Sequence, residues 1–386
     1  MATSNNSVLN GNGVLLYNTT INTPFIISDL QQVTINGKKY YEIYPERNTS
    51  VLEGKYHGNY NWNDRGYIEA NNISLVNVFT PPVEVKYGID RYATAVELSK
   101  SNFSSAETIV ISNGYAIPDG LAATPIASYY KSPLLLVEKS SIPYSTQNEI
   151  KRLGAKNVII IGGASVVDYS VERQLNNLGI TKITRLGGAT RYETSLQVAQ
   201  YIDQNLYDVE NIAVANGYGE ADALSIAPVS GRDRMPIILV ESNNIPSSVY
   251  NWIKSEDLNN AYIVGGTTAI SDNVLNNINA ITKQDISGNR LGGSDRYATN
   301  AKIIERFYGS VTENVYVTEG LELADALSAG PISAISNSPV VISESLLTSI
   351  QKDILRTKAT NKIIQVGGKV SKDVVNNLRE LLSRTQ

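Results

Sequence analysis

RLGGATRYET occupies residues 185–194, and a near copy, RLGGSDRYAT, occupies 290–299. A more divergent version, KYGIDRYAT, spans 86–94. Three further anchors recur behind it in one order. DGLAATP (119–125), DALSIAP (222–228) and DALSAGP (325–331) begin at steps of 103 residues. PLLLVE (133–138), PIILVE (236–241) and PVVISE (339–344) keep that step. IIGGAS, IVGGTT and QVGGKV, starting at 160, 263 and 365, follow at steps of 103 and 102. Four anchors at nearly fixed spacing make the chain from about residue 86 onward three homologous units.

Within a unit the periodicity alternates between strand and helix. In the second, RYETSLQVAQYI places apolar residues at helical spacing, with Thr190 as N-cap. NIAVA (211–215) is a short β-rich run closed by Asn216-Gly217, and ADALSIAPVSG suits a helix packed closely on a sheet. MPIILVE is an unbroken apolar run led by Pro236, as expected of a strand buried on both faces. SSVYNWIKS reads as helix, AYIVGG as a second buried strand, and SDNVLNNINAI as a helix capped by Ser271. Short strands alternating with helices of about ten residues predict a parallel sheet covered on both faces. Short connections predict that the three units pack together with pseudo-threefold symmetry.

Residues 1–82 carry none of these anchors. They hold fourteen Asn and seven of the 23 Tyr, with β-type runs (GVLLYN, QQVTI, KKYYEIY, RGYIEA) between Asn- and Gly-bearing turns. The expected organisation is a small all-β, barrel-like module at 1–82, followed by α/β repeats at 83–180, 181–282 and 283–386.

The totals exclude several functions. The 386 residues are 42% hydrophobic and 18% charged, with net charge −4, so the broad basic field of a nucleic-acid binder is missing. No apolar run approaches the ~20 residues of a membrane span, and a soluble chain is expected. There is no Cys and a single His, His57, which rules out thiolate chemistry and zinc sites with several His ligands. His57 lies in KYHGNYNWN, without a Gly-x-Ser-x-Gly elbow nearby, and reads as a loop residue. No GxGxxG or GxxxxGK[ST] spacing is present, so nucleotide binding and cofactors are not expected. The start, MATSNNSVLNGNGVLLYN, lacks a basic n-region and is not read as a signal peptide.

With RLGGATRYET, DALSIAP, PIILVE and IVGGTT each present in three versions, residues 86–386 resemble the clostridial type 2 cell-wall-binding repeat of S-layer and related surface proteins. The resemblance implies three α/β repeats in a trimer-like array, an extracellular Gram-positive setting and non-covalent anchoring to an anionic, teichoic-acid-type wall polysaccharide. It places polymer binding at the Pro-led strand starts: Pro133, Leu134, Leu135 and Leu136; Pro236, Ile237, Ile238 and Leu239; Pro339, Val340, Val341 and Ile342. Residues 1–82 resemble a bacterial Src-homology-3-type barrel, which implies a Trp- or Tyr-rich groove for peptidoglycan or peptide. The alternative reading is the targeting part of a bacterial or phage lytic enzyme whose catalytic domain lies elsewhere.

The residues themselves suggest three further contacts. Arg91, Arg191 and Arg296 recur with Asp119, Asp222 and Asp325, either as an ion pair inside each unit or as a fork gripping phosphate. Arg185 and Arg290 have no counterpart in the first unit, which fits a surface contact with polymer better than a core bridge. Gly162-Gly163, Gly265-Gly266 and Gly367-Gly368 each follow a buried strand and precede a helix, where backbone N–H groups favour an anion. One Asp repeated in three tandem units argues for framework rather than catalysis, and the chain is read as non-enzymatic.

Overall fold

The computed structural model describes residues 6–9, 15–19, 27–35, 37–43, 66–69 and 78–385. They form two compact units: Met1–Phe79 with Arg384–Gln386, and Thr80–Ser383. In the first, β1 (Asn6–Leu9), β2 (Leu15–Thr19), β3 (Ile27–Ile35), β4 (Lys38–Ile43) and β5 (Gly66–Glu69) make an antiparallel sheet in the order β2-β1-β5-β4-β3. The β3–β4 hairpin turns on Gly37 at φ +78°, a conformation that costs glycine little. β6 (Val78–Phe79) pairs antiparallel with the chain end at Arg384–Thr385. The elements among the described residues of this segment are all strands; His57 and the proposed aromatic groove lie outside the described residues.

The second unit contains three four-stranded parallel sheets. After β7 (Val83–Lys86), the first sheet is built from β8 (Thr108–Asn113), β9 (Leu134–Val137), β10 (Asn157–Ile161) and β11 (Lys182–Leu186), in the order β11-β10-β8-β9. The second uses β12 (Asn211–Asn216), β13 (Ile237–Val240), β14 (Asn260–Val264) and β15 (Arg290–Leu291), ordered β13-β12-β14-β15. The third uses β16 (Val311–Glu319), β17 (Val340–Ser343), β18 (Ala359–Val366) and, returning across the chain, β7.

Sheet and sequence repeat are therefore out of phase by one strand. β11 carries the Arg185-Leu186 that opens the second RLGG motif, yet it completes the first sheet. β15 does the same one unit on, and β7 closes the cycle by pairing with β18. Parallel pairing keeps all four strands of a sheet pointing the same way, so their C-terminal ends and following loops gather on one rim.

Why the DGL/DAL helices are made of small residues is settled at the centre. Helices Thr124–Tyr129, Glu220–Arg232 and Ala324–Ile335 pack against one another. A Cβ on Gly231 would lie 2.7 Å from the Ser128 hydroxyl and 2.8 Å from the Ala334 methyl. Ser128, Gly231 and Ala334 are equivalent positions of the three repeats. Equivalent Thr124 and Gly330 also meet, with a Gly330 Cβ only 2.5 Å from Thr124 Oγ1. Equivalents meeting at two levels place the helices side by side, in one direction, around a pseudo-threefold axis. Small residues, with glycine opposite the threonine or serine at each level, let three helices come so close.

The Pro-led strands differ from expectation in position. β9, β13 and β17 are edge strands of their sheets, although their side chains are buried. Helix Arg191–Asn205 covers the free edge of β13, where Leu239 N donates to Ser195 Oγ at 3.0 Å. In the third sheet Asn300 accepts from Ile342 N and donates to the Val340 carbonyl at 2.8 Å. An edge position accounts for the leading proline, since a missing N–H is tolerated there. Thr190 caps its helix through Glu193 N, as expected. Ser271 stands at the N-cap of Asp272–Asn279, but its side chain makes no capping bond.

Candidate functional site

The most repetitive surface of the second unit lies where one sheet ends against the next repeat. At the first junction Gly162 N donates to the Leu186 carbonyl at 2.8 Å; Gly265 N does so to Leu291 at 2.8 Å, and Gly367 N to Lys86 at 2.9 Å. The glycine pair of each strand end then meets the glycines of the incoming motif. A Cβ on Gly163 would stand 2.9 Å from the Gly188 carbonyl, and one on Gly266 would stand 2.9 Å from the Gly293 carbonyl. At the third junction Tyr87 replaces the first glycine, and its ring lies 3.5 Å from a Cβ placed on Gly368. Gly162, Gly265 and Gly367 have φ of +127°, +121° and +87°, so the turn also requires glycine for its backbone. Their amides are engaged with the neighbouring strand, which removes the first donor of each expected anion cradle.

The Arg–Asp pairing expected inside each unit is corrected. Among the described residues, no ion pair links Arg91 to Asp119, Arg191 to Asp222 or Arg296 to Asp325. Each arginine instead faces the carboxylate of the preceding unit: Arg191 lies in the field of Asp119, Arg296 in that of Asp222, and Arg91 in that of Asp325. The reason is the one-strand phase shift, which brings the RYxT helix of one repeat over the DAL helix of the last. Thr194 and Thr299 lie beside Asp119 and Asp222 across the same boundary and favour the charged carboxylates. The same threonines accept the Gly188 and Gly293 amides at 3.2 Å, as Thr94 accepts that of Gly88. Arg91, Arg191 and Arg296 each donate to a loop carbonyl of their own unit, Gly114, Gly217 and Gly320, at 2.7, 2.7 and 2.9 Å.

Burial dominates the carboxylates. It pushes Asp222 and Asp325 up to about 6 and raises Asp119, against the opposing pull of the facing arginine. Asp222 Oδ1 is buried without a hydrogen-bond partner. A carboxyl whose pKa is higher folded than unfolded carries a penalty when ionised. That penalty is full above about pH 6 and absent below the unfolded value of ~3.9. Asp222→Asn therefore raises stability at pH 8, by up to about 3 kcal/mol for a two-unit shift, and has little effect at pH 4. Urea melts at the two pH values check this; an equal effect at both would contradict a burial-dominated carboxyl.

Arg185 and Arg290 are also corrected: they are bridges, with side chains only 16% and 17% exposed. Arg185 donates twice to Glu172, at 2.8 and 2.6 Å, and to the carbonyls of Gly162 and Val167 at 3.0 and 2.8 Å. Arg290 repeats the pattern on Asp272, Gly265 and Ile270. Both tie the glycine turn to the helix behind it. Val85 occupies this place at the third junction, and there Gln365 Nε2 donates to the Gly367 carbonyl at 3.1 Å instead. The missing arginine is thus compensated from the other strand.

All twelve residues of the Pro-led segments, Pro133 to Leu136, Pro236 to Leu239 and Pro339 to Ile342, are buried. None presents its side chain at the surface. What the sequence reading passed over is the loop just before each DGL/DAL anchor. NGY at 113–115, NGY at 216–218 and EGL at 319–321 recur in the same register. Asn113 Oδ1 accepts from Tyr115 N, and Asn216 Oδ1 from Tyr218 N, both at 2.7 Å. Glu319 accepts from Leu321 N at 2.8 Å in the third unit. Arg91 and Arg191 lie 4.0 and 4.2 Å from the centroids of Tyr115 and Tyr218. Each junction thus brings together a buried carboxylate and glycine turn from one repeat with an arginine and an exposed apolar side chain from the next. Among the described residues no cluster of His, Cys, Asp and Glu could hold a metal, and no helix is long and apolar enough to cross a membrane.

The chain is similar to several known proteins. The chain is 31% identical over 296 residues to N-acetylmuramoyl-L-alanine amidase LytC of Bacillus subtilis (strain 168), covering 76% of this chain and 57% of the amidase. It is 29% identical over 316 residues to the amidase enhancer of the same organism, covering 81% and 41%. The chain thus spans about half the length of these curated relatives. Its structure is similar to Cwp6 from Clostridium difficile, with a TM-score of 0.77, 32% identity and coverage of 100% of this chain and 64% of that one. Cwp8 from Clostridium difficile matches with a TM-score of 0.71, 27% identity and coverage of 98% and 63%. The profile of cell wall binding domain 2 (CWB2) matches three times, at residues 86–172, 185–275 and 290–375, and the chain belongs to that family.

Proposed function

We propose that this chain anchors a surface protein non-covalently to an anionic, teichoic-acid-like wall glycopolymer of a Gram-positive bacterium. The observation that carries the reading is the triple repetition of one junction around an axis, in a chain of the cell wall binding family. A polymer presents the same group again and again. Three modest sites on one rigid frame convert that repetition into avidity without needing one strong contact. The repeated Arg91, Arg191 and Arg296 supply local positive charge that the net charge of −4 conceals. Three equivalent junctions in one frame are the design of a grip, and the chain acts without catalysis. The N-terminal module would add a second contact, to peptidoglycan or peptide.

The likeness to an amidase favours a second reading, in which the same grip targets a lytic domain carried elsewhere. Both readings place the chain outside the cell, at the wall. The test is a pull-down of the full chain on purified walls before and after chemical removal of the secondary polymer. Binding is expected on intact walls and lost on stripped ones; unchanged binding to stripped walls overturns the polymer assignment.

A further inference from the structure

We infer that Tyr115 and Tyr218 are stacking platforms for pyranose rings, and that the junction between the second and third repeats lacks one because Leu321 stands in its place. The inference rests on the wall-binding reading and deepens it by naming the part of the polymer that is touched.

Tyr115 is 71% exposed and Tyr218 77%. Neither ring contributes to the core, yet both are held firmly. The Arg91 and Arg191 guanidinium groups sit against them at 4.0 and 4.2 Å, and each arginine is tied in turn to the carbonyl before its tyrosine. The loop backbone is fixed by Asn113 and Asn216, whose amides donate to the carbonyls of Val166 and Ala269 at 2.6 and 2.5 Å. A ring so braced has one face on the guanidinium and the other open.

The third unit shows which parts of this apparatus the fold needs. Glu319 holds the loop amides and Arg296 bonds the Gly320 carbonyl, as in the other two units. The ring alone is missing, replaced by Leu321 at 61% exposure. The network is framework; the exposed rings are additional. What sets these two rings apart is that they recur at equivalent positions, each with a guanidinium against one face, which suits a binding surface better than a folding role.

Ring chemistry selects the ligand. The face of a phenol carries negative quadrupole density, which repels phosphate but accepts the weakly positive C–H face of a sugar. The tyrosines therefore address the pyranose units, while the arginines beside them suit the polymer's charge.

The experiment measures retention of the full chain on purified polymer-bearing walls for wild type, Tyr115→Leu, Tyr218→Leu, the double variant, Tyr115→Phe with Tyr218→Phe, and Leu321→Tyr. Leucine is chosen because the third unit folds with it at this position, and unchanged melting temperatures verify that. Each single leucine variant is expected to weaken binding about five- to tenfold, the scale of one aromatic contact, and the double variant by their product. The phenylalanine pair is expected to bind like wild type, and Leu321→Tyr to bind more tightly. Wild-type binding with an unaffected double leucine variant overturns the inference alone. Failure of Leu321→Tyr to tighten binding overturns the account of the junction between the second and third repeats. Absence of wild-type binding overturns the wall reading, and this inference with it.

Discussion

Gly292→Ala lowers the stability of the repeat-bearing unit by about 3 kcal/mol or more, at the upper end of overpacking effects because the obstacle is backbone. A methyl at Gly292 would fall inside van der Waals contact of the Gly265 carbonyl and the Gly266 amide, and Gly187 stands in the same relation to Gly162 and Gly163. No side chain at the junction can swing aside, so the strand ends of two repeats must separate. Separation would also disturb the Leu291 carbonyl that accepts from Gly265 N, and the Arg290 bond to the Gly265 carbonyl. Gly309→Ala serves as control, since nothing lies within 4 Å of its Cβ position, and it is expected to stay within about 0.5 kcal/mol of wild type. Urea denaturation of the three proteins checks the ordering. Equal stability of Gly292→Ala and Gly309→Ala would contradict the close glycine-on-glycine approach.

Glu84→Pro opens the cycle. β7 is the only strand between residues 80 and 90, and it completes a sheet whose other members lie more than two hundred residues away. Pro82 and Lys86 carbonyls accept from Ile363 and Gly367, each at 2.9 Å, so alternation directs residue 84 toward β18. Glu84 also bonds Lys362 at 3.0 Å. Proline at 84 removes a ladder donor and this ion pair together, at a cost of about 3 kcal/mol. Val85→Pro places the same ring one residue along, on the exposed side of the edge, where proline is tolerated. The expected result is a large fall in melting temperature for Glu84→Pro and a small one for Val85→Pro. Size-exclusion chromatography should also show self-association of Glu84→Pro, because β18 is left with an unpaired edge. Equal behaviour of the two proline variants would show that β7 is dispensable to the third sheet.

Much of this architecture is written in short-range patterns. The 103-residue step, the apolar runs PLLLVE, PIILVE and PVVISE, and the helical spacing after Thr190 all follow from local periodicity. So does the parallel α/β class, because strands and helices must alternate to bury both faces of a sheet. The recurring small residues of DGLAATP, DALSIAP and DALSAGP announce close packing, although not against what. At the site the legible part was its composition. Arginine, aspartate and glycine recur in every repeat, and NGY was there to be seen as a further anchor.

Partner choice was not legible. The two arginine sets exchange their expected roles: Arg185 and Arg290 bridge, while Arg191 and Arg296 face carboxylates of the preceding repeat. Sequence offsets inside a unit are the same whichever neighbour a side chain meets, so equal spacing cannot distinguish Asp222 from Asp119 as the partner of Arg191. Likewise a buried apolar run reads alike whether its strand is central or an edge covered by helices, as β13 is. Residues and their periods determined what each repeat is: strand, turn, helix and a small-residue face. Only the tertiary structure decided that each sheet borrows its last strand from the next repeat. That choice depends on hydrogen bonding between segments as distant as Val83 and Ile363, a long-range closure that no local pattern encodes.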